Sequence, residues 1–276
     1  MTSISRVLIN GREESVIAVS DRGLQYGDGV FRTVLVRDSR PVYLDRHIKH
    51  LANACERLGF TAPDWKILEQ RVIDVCSDVK DGVLKIILTR GGAKSRGYRP
   101  LPAETTEILQ LHSPSPGHPV ANWKQGISVR VCGMRLSINP VLAGIKHLNR
   151  LEQVLARAEW NDGDFAEGLM LDTAGNVIEA TACNLFLVKQ TVLYTPDLSG
   201  AGVAGVMREM ILDAAPAYTK AVCIKAIKIE DCVAADEIFL SNAVIGIWPV
   251  RQLLDHTWAA GPVTRTLQDH FVDVRR

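Results

Sequence analysis

Lys146 is a residue whose type and surroundings could support covalent chemistry. It follows Gly144 and Ile145 and precedes the expected start of a helix, in a segment that we expect to be buried. Burying an ammonium group is costly and lowers its pKa, which makes a neutral amine available to form a Schiff base. A surface lysine at a loop edge is the alternative that this segment alone leaves open.

Two later segments could hold a flat, phosphorylated cofactor. Glu179 follows two β-branched residues and precedes a run of small residues, and such a carboxylate can keep a pyridine nitrogen protonated. Residues 201–205 form a glycine-containing turn before an expected helix, whose first backbone N–H groups could bind phosphate. Each segment also has an ordinary interpretation, as a strand-end glutamate that faces water and as a helix that follows glycines.

The order of these three segments resembles that of the fold-type IV pyridoxal phosphate enzymes. This family includes the branched-chain and D-amino acid aminotransferases and aminodeoxychorismate lyase. Residues 21–31 are similar to the family signature D-R-x-x-x-[YF]-G-D-G-x-[FY], and residues 145–155 are very similar to the lysine segment of the bacterial aminodeoxychorismate lyases. The resemblance extends over almost the whole chain.

The resemblance implies how the cofactor, pyridoxal 5'-phosphate, is held. Lys146 would form the Schiff base and later move protons, and Glu179 would pair with the pyridine nitrogen. Val203 would pack on a face of the ring. The phosphate would be held by the backbone of Val206 and Met207, helped by Asn242 and Ala243.

The resemblance also implies which residues contact the substrate. Phe31 and Thr33 alternate along one expected strand, so both side chains would point into the substrate pocket. Arg96 and Tyr98, in the basic loop of residues 89–100, match positions that bind substrate carboxylates in relatives. A solvated loop charge is the alternative for Arg96.

One segment departs from the family pattern. The family usually has H-x-x-R-L, with an arginine that reaches the phosphate, whereas residues 47–51 of this chain read H-I-K-H-L. We therefore expect His50 to contact the phosphate, assisted by Arg46, which lies one helical turn earlier on the same face. Arg32 stands where relatives often have Glu or Thr; it should face away from Phe31, and we assign it no catalytic role.

The implied activity is that of a lyase that converts 4-amino-4-deoxychorismate to 4-aminobenzoate and pyruvate for folate biosynthesis. An aminotransferase for D-amino or branched-chain amino acids is the alternative that uses the same lysine. A third possibility, invited only by the histidine at position 50, is a cofactor-binding protein with little turnover. The family also implies a homodimer.

The pattern of elements predicts an α+β fold with two domains. Residues 1–112 would form a small N-terminal α/β sandwich domain, and residues 122–276 a larger cofactor-binding domain with a pseudo-barrel sheet. Between them, residues 113–121 contain three prolines and read as a linker. Expected antiparallel hairpins favour this class over a doubly wound sheet.

Composition narrows the possible partners and location. The formal net charge is +1 and no long basic run is visible, so we expect a small-molecule substrate and neither nucleic acid nor a membrane surface. No signal peptide or apolar span is evident, and the six cysteines lack metal-binding spacing, so we expect a cytoplasmic enzyme without a metal and with reduced thiols.

Overall fold

The computed structural model describes residues 4–92, 97–113, 119–161 and 163–272. The chain divides into two compact units, Met1–Gly117 with Lys146–Asn149, and His118–Ile145 with Arg150–Arg276. Each unit combines helices with one sheet that contains antiparallel pairs, which confirms the predicted α+β class. The domain limits and the linker at residues 113–121 stay predictions, since residues 114–118 lie outside the described part of the chain.

The first unit contains a five-stranded antiparallel sheet and three helices. Its elements are β1 (Ile4–Ile9), α1 (Arg22–Tyr26), β2 (Gly29–Arg37), β3 (Arg40–Pro41), α2 (Leu44–Leu58), α3 (Trp65–Cys76), β4 (Asp81–Thr89) and β5 (Thr106–His112). The strand order is β1-β5-β4-β2-β3, so β2 lies beside the long strand β4. Helix α2 packs against β2, and α3 packs against β3 and β5.

Local sequence explains where the helices of the first unit begin and end. In α2, Ile48, Leu51 and Cys55 are buried on one face, as their helical spacing predicts. Gly59 ends the helix at φ 64°, and its N–H donates to the carbonyl oxygen of Cys55. Asp64 caps α3, because its carboxylate accepts hydrogen bonds from two backbone N–H groups of the first turn.

The second unit contains a nine-stranded mixed sheet. Its elements are α4 (Val120–Gln125), β6 (Ile127–Leu136), α5 (Leu151–Arg157), β7 (Glu167–Asp172), β8 (Val177–Ala180), β9 (Asn184–Lys189), β10 (Val192–Pro196), α6 (Val206–Ala214), a 3₁₀ helix (Ala215–Ala217), β11 (Ala221–Lys225), α7 (Ile229–Val233), β12 (Glu237–Asn242), β13 (Gly246–Leu253), β14 (His256–Thr257) and α8 (Pro262–His270).

The sheet of the second unit follows the order β11-β10-β9-β12-β13-β6-β7-β8, and β14 pairs with β13. The pairs β10–β11, β13–β6 and β6–β7 are parallel, and the others are antiparallel. Strands β7, β8 and β12 are almost entirely buried, so both of their faces are covered. In the described ranges, no helix has the length and apolar character needed to cross a membrane.

The cysteines are free thiols, and all but Cys223 are buried. Burial raises the pKa of Cys55 and Cys76 to about 12, so these thiols stay protonated at neutral pH. The expectation that the cysteines are mostly buried is therefore met, and their reduced state stays a prediction.

An aromatic pair across two strands anchors the core of the second unit. Phe239 on β12 lies opposite Phe186 on β9, with ring centroids 4.9 Å apart and planes 9° from parallel, and both are fully buried. We expect Phe239→Ala to lower the free energy of unfolding by about 3–5 kcal/mol, because it leaves a cavity that the strands cannot close. Urea denaturation measures the change. Ile224→Ala, at an exposed position of β11, is the control and should change stability by about 0.5 kcal/mol or less.

Candidate active site

The backbone around Lys146 is paired with the start of β2. The N–H of Phe31 donates to the carbonyl oxygen of Lys146 at 3.0 Å, and the N–H of Leu148 donates to the carbonyl oxygen of Gly29 at 3.0 Å. A Cβ at position 29 would lie 2.6 Å from the carbonyl oxygen of Leu88 and 2.8 Å from Leu148 Cδ1, so only glycine permits this approach. The glycine of the signature therefore allows the lysine segment to join β2.

The amines of Lys146 and Lys85 both lie close to the aromatic ring of Phe31. Nζ of Lys146 is 4.7 Å from the ring centroid of Phe31, and Nζ of Lys85 is 5.0 Å from the same centroid. Lys85 lies on β4 directly opposite Thr33, so Phe31, Thr33 and Lys85 occupy neighbouring positions of the sheet. Burial lowers the pKa of Lys85. This part of the sheet is an electropositive surface around the candidate nucleophile.

The neighbouring residue on β2 enters a cluster of basic side chains. Arg32 is buried, and its Nη2 lies 3.2 Å from Nδ1 of His50 on α2. His47, one turn earlier on the same helix, is also buried. Burial, together with the positive charges of Arg32 and Lys146, lowers the pKa of His47 to about 3. Arg46 is half-buried, and its predicted contact with the phosphate stays a prediction.

The two predicted loop residues are not brought to this cluster by any described contact. Arg96 lies outside the described residues. Tyr98 is 85% exposed, with its ring centroid 5.5 Å from that of Tyr26. Its carbonyl oxygen accepts a hydrogen bond from the buried Arg22 at 3.0 Å, which fixes the backbone here. The roles of Arg96 and Tyr98 in substrate binding stay predictions.

Arg22 also belongs to an ion-pair network beneath this loop. Asp28 accepts hydrogen bonds from Nε of Arg22 at 2.8 Å and from Nε of Arg90 at 2.7 Å. Burial alone raises the pKa of Asp28, but the hydrogen bonds and charges of Arg90 and Arg22 outweigh it and lower the pKa. The signature residues Arg22 and Asp28 are thus charged groups that hold the turn before β2.

In the second unit, Glu179 is a buried carboxylate with defined hydrogen bonds. It lies on β8 with 4% of its surface exposed. Its Oε2 accepts from the N–H of Val203 at 2.8 Å, and its Oε1 accepts from Nε2 of Gln153 at 3.3 Å. Since a hydrogen-bonded carboxylate keeps its orientation, Glu179 can act as a fixed acceptor for a protonated ring nitrogen.

The amide side chain of Asn184 holds the loop before α6 at two points. Nδ2 of Asn184 donates to the carbonyl oxygen of Val203 at 2.8 Å, and Oδ1 accepts from the N–H of Gly205 at 3.2 Å. Gly205 is the N-cap of α6, and among the described residues it has no side-chain cap. The N–H groups at Val206 and Met207 are therefore suited to an anion. Val206 and Met207 are both buried.

Asn242 forms the turn between β12 and β13. Its Oδ1 accepts from the N–H groups of Val244 and Ile245, each at 2.9 Å, and its Nδ2 donates to the carbonyl oxygen of Ala182 at 3.1 Å. These bonds engage the side chain in the turn itself. The contact of Asn242 and Ala243 with the phosphate stays a prediction. Since the side chain of Asn242 is engaged in the turn, such a contact would use the backbone of these two residues.

Comparison with known proteins identifies the family. The family model described as amino-transferase class IV matches residues 29–253. The chain belongs to this family. The predicted resemblance is thereby confirmed.

Three relatives of this class IV family member cover nearly the whole chain. An aminodeoxychorismate lyase from Vibrio harveyi is 35% identical over 270 residues, which are 95% of this chain and 98% of that protein. The crystal structure of 4-amino-4-deoxychorismate lyase from Pseudomonas aeruginosa matches with a TM-score of 0.91 and 46% identity over 97% of this chain and 98% of that one. The Escherichia coli branched-chain amino acid aminotransferase matches with a TM-score of 0.83 and 25% identity over 99% and 95%.

The structure adds residues near the candidate site to which the sequence analysis gave no role. Arg32 and Lys85 are each the only charged residue in the interior of an apolar strand, and this rare pattern is a usable signal. Gln153 and Asn184 carried no such signal, since their partners Glu179 and Val203 are distant in the sequence.

Gly202 offers a test of how the loop beside Glu179 is held. Its φ is +84°, and a Cβ there would lie 2.6 Å from Ile178 Cγ2 and 3.3 Å from Oε2 of Glu179. We expect Gly202→Ala to lower the free energy of unfolding by about 1–2 kcal/mol or more, because left-handed backbone strain adds to this overlap. Gly200→Ala in the same loop is the control, as its Cβ would only reach ordinary contact at 3.5 Å from Ile138. Equal losses in urea denaturation would contradict this account.

His47 should make the stability of the protein fall in acid. Its pKa is about 3 in the folded state against 6.5 for an unperturbed histidine, so below about pH 6.5 only the unfolded chain takes up the proton. The contribution of His47 to the free energy of unfolding should fall by about 2 kcal/mol between about pH 7.5 and pH 5, and it should not change above pH 7.5. Urea denaturation across this range should give a shallower acid slope for His47→Gln. His256→Gln, which removes an exposed imidazole, is the control.

Proposed function

We propose that this chain is a pyridoxal phosphate-dependent lyase that converts 4-amino-4-deoxychorismate to 4-aminobenzoate and pyruvate in folate biosynthesis. The observation that carries the proposal is the Lys146 segment, which is paired with β2 so that its amine lies on the ring of Phe31. Two of the relatives described above are lyases of this name, at 35% and 46% identity.

The residues present fit the cofactor. Lys146 supplies an amine, Glu179 a buried carboxylate, and the start of α6 a helix terminus without a side-chain cap among the described residues. His47 adds buried ring nitrogens that have no hydrogen-bond partner in the described part of the chain. When bound, pyridoxal phosphate supplies an electron sink for the charge that develops when a proton leaves the substrate.

The proposal gives each side chain one task. Lys146 holds the cofactor and, once the substrate amine displaces it, removes the proton from the carbon that bears nitrogen. Glu179 keeps the proton on the ring nitrogen, and Val203 packs on the ring face. The phosphate is bound by the following groups: backbone at Val206 and Met207, His50 with Arg46, and Asn242–Ala243.

Substrate charge matches the surface around Lys146. The substrate carries two carboxylates, and Lys85 places a positive charge over the ring of Phe31, beside Lys146. Phe31 and Thr33 contact the substrate, with Arg96 and Tyr98 contributing from the loop. After proton removal, the bond between the ring carbon and the ether oxygen breaks, the enolpyruvate leaves with that oxygen and becomes pyruvate on protonation, and the remaining ring becomes aromatic.

An aminotransferase is the second candidate, favoured by the match to the branched-chain enzyme of Escherichia coli. It would use the same lysine but would need a keto acid to accept the amino group. A cofactor-binding protein with little turnover is the third, and the histidine at position 50 is the feature that favours it. We also propose that two copies pair as a homodimer in the cytoplasm, as the family resemblance implies.

Absorbance and product analysis of the purified protein test the proposal. We expect a cofactor band at the edge of the visible range in the wild type, and 4-aminobenzoate with pyruvate from 4-amino-4-deoxychorismate without any keto acid. Lys146→Ala should lose the band and the products, since the covalent attachment is gone. Lys189→Ala, at an exposed position, is the control and should keep both.

The other outcomes separate the alternatives. A band with turnover of D-alanine or leucine only in the presence of a keto acid would replace the lyase by an aminotransferase. A band that no amino donor changes would favour the third candidate. The absence of a band after addition of pyridoxal phosphate would refute the proposal.

A further inference from the structure

A cluster of basic side chains lies where β2 packs against α2 in the first unit. Arg32 is 4% exposed, and its Nη2 lies 3.2 Å from Nδ1 of His50. His47, which is 2% exposed, has no hydrogen-bond partner for either ring nitrogen among the described residues. Buried basic groups are stabilised by an anion, and a buried N–H or ring nitrogen without a partner is costly. The cluster is therefore a candidate anion site.

The contact between Arg32 and His50 fixes the protonation of the imidazole. A guanidinium has only N–H donors, so the ring nitrogen that faces it must be an acceptor. Nδ1 of His50 thus carries no proton, and Nε2 is the N–H donor of a neutral ring. The positive charge of the pair is therefore on Arg32, and the N–H of the imidazole is at Nε2 of His50.

We propose that Arg32 is a positioning residue for the phosphate group of the cofactor, acting through His50. It holds His50 as the tautomer with the proton on Nε2, and it supplies the positive charge that a neutral imidazole lacks. His50 can then take part in binding the phosphate group, because the buried Arg32 on β2 lies 3.2 Å from its ring. This inference rests on the proposed function, since it takes pyridoxal phosphate as the ligand.

A purely structural pair would behave differently. If Arg32 and His50 only joined β2 to α2, loss of the arginine would weaken the binding of every ligand of the site to the same extent. A pair that acts on the phosphate affects pyridoxal phosphate and leaves pyridoxal, the same molecule without the phosphate group, unchanged. The ratio of the two dissociation constants therefore separates the two roles.

The experiment compares both ligands in variants of the full-length protein. We expect Arg32→Thr to raise the dissociation constant of pyridoxal phosphate about 10- to 100-fold and to leave that of pyridoxal within about twofold, because the phosphate loses a nearby positive charge and His50 loses the partner that sets its tautomer. Adding His50→Arg to Arg32→Thr should restore most of the affinity by returning the charge to α2. The matched control is Arg37→Thr, which changes another arginine of β2, one that is hydrogen-bonded to Asp81 on β4. It should change neither dissociation constant.

A second measurement keeps the inference separate from the proposed function. Inorganic phosphate should raise the unfolding temperature of the cofactor-free wild type and should do so much less for Arg32→Thr. If the wild type binds neither pyridoxal phosphate nor pyridoxal, the proposed function fails, and the phosphate shift alone decides whether the anion site exists.

Three results would overturn the inference. The first is an equal loss of affinity for both ligands in Arg32→Thr, and the second is no loss for either. The third is a failure of the His50→Arg addition to restore affinity for pyridoxal phosphate in a double variant whose circular dichroism and unfolding temperature match the wild type. ¹⁵N spectra of the His50 ring add a direct reading, since a proton on Nδ1 in the wild type would contradict the tautomer.

Discussion

Removing a charged side chain from water is costly, and the second unit satisfies its buried carboxylates with backbone N–H groups. Glu167 accepts from the N–H groups of Thr181 and Ala182, and Glu179 accepts from that of Val203. Glu237 accepts from those of Val263 and Thr264 at the start of α8. In each case the carboxylate lies on a strand and the N–H groups lie on a loop or helix start.

This arrangement ties the loops to the strands by hydrogen bonds. A buried carboxylate that loses its donors would remain charged without compensation or would have to take up a proton, so the loop cannot move away at low cost. Burial raises the pKa of Glu167 even though Thr181, Gly168, Cys183 and Ala182 all donate to it. The short segment between Glu179 and β9 is therefore held by Glu167, which accepts hydrogen bonds from its backbone.

The long elements could be predicted from the sequence because they depend on local patterns, whereas the roles expected of the site residues came from the resemblance to the family. Helix α6 begins after the glycine-containing turn of residues 201–205, as expected, and the apolar residues of α2 recur at helical spacing. The short helices α1 and α4 were not predicted, since five or six residues are too few to show a helical period.

Contacts between residues that are distant in the sequence could not be predicted from local sequence patterns. Alternation along β2 correctly separated Arg32 from Phe31, but it could not show that Arg32 lies within hydrogen-bond distance of His50 on α2. The same limit applies to Lys85, whose position opposite Thr33 depends on strand register. Asn10 and Gly11, in contrast, both have positive φ as their turn sequence predicts, although the bridge that follows, between Ile9 and Arg12, is isolated.

The pairing of the lysine segment with β2 has a consequence for how the protein is made. Residues 146–149 belong to the first unit, although more than thirty residues separate them from the end of β5 at His112. During synthesis the ribosome must therefore release part of the second unit before the first can complete its hydrogen bonds at Gly29 and Phe31. The Lys146 segment is the last part of the first unit to be made, so a truncated chain with an intact five-stranded sheet would still lack this lysine.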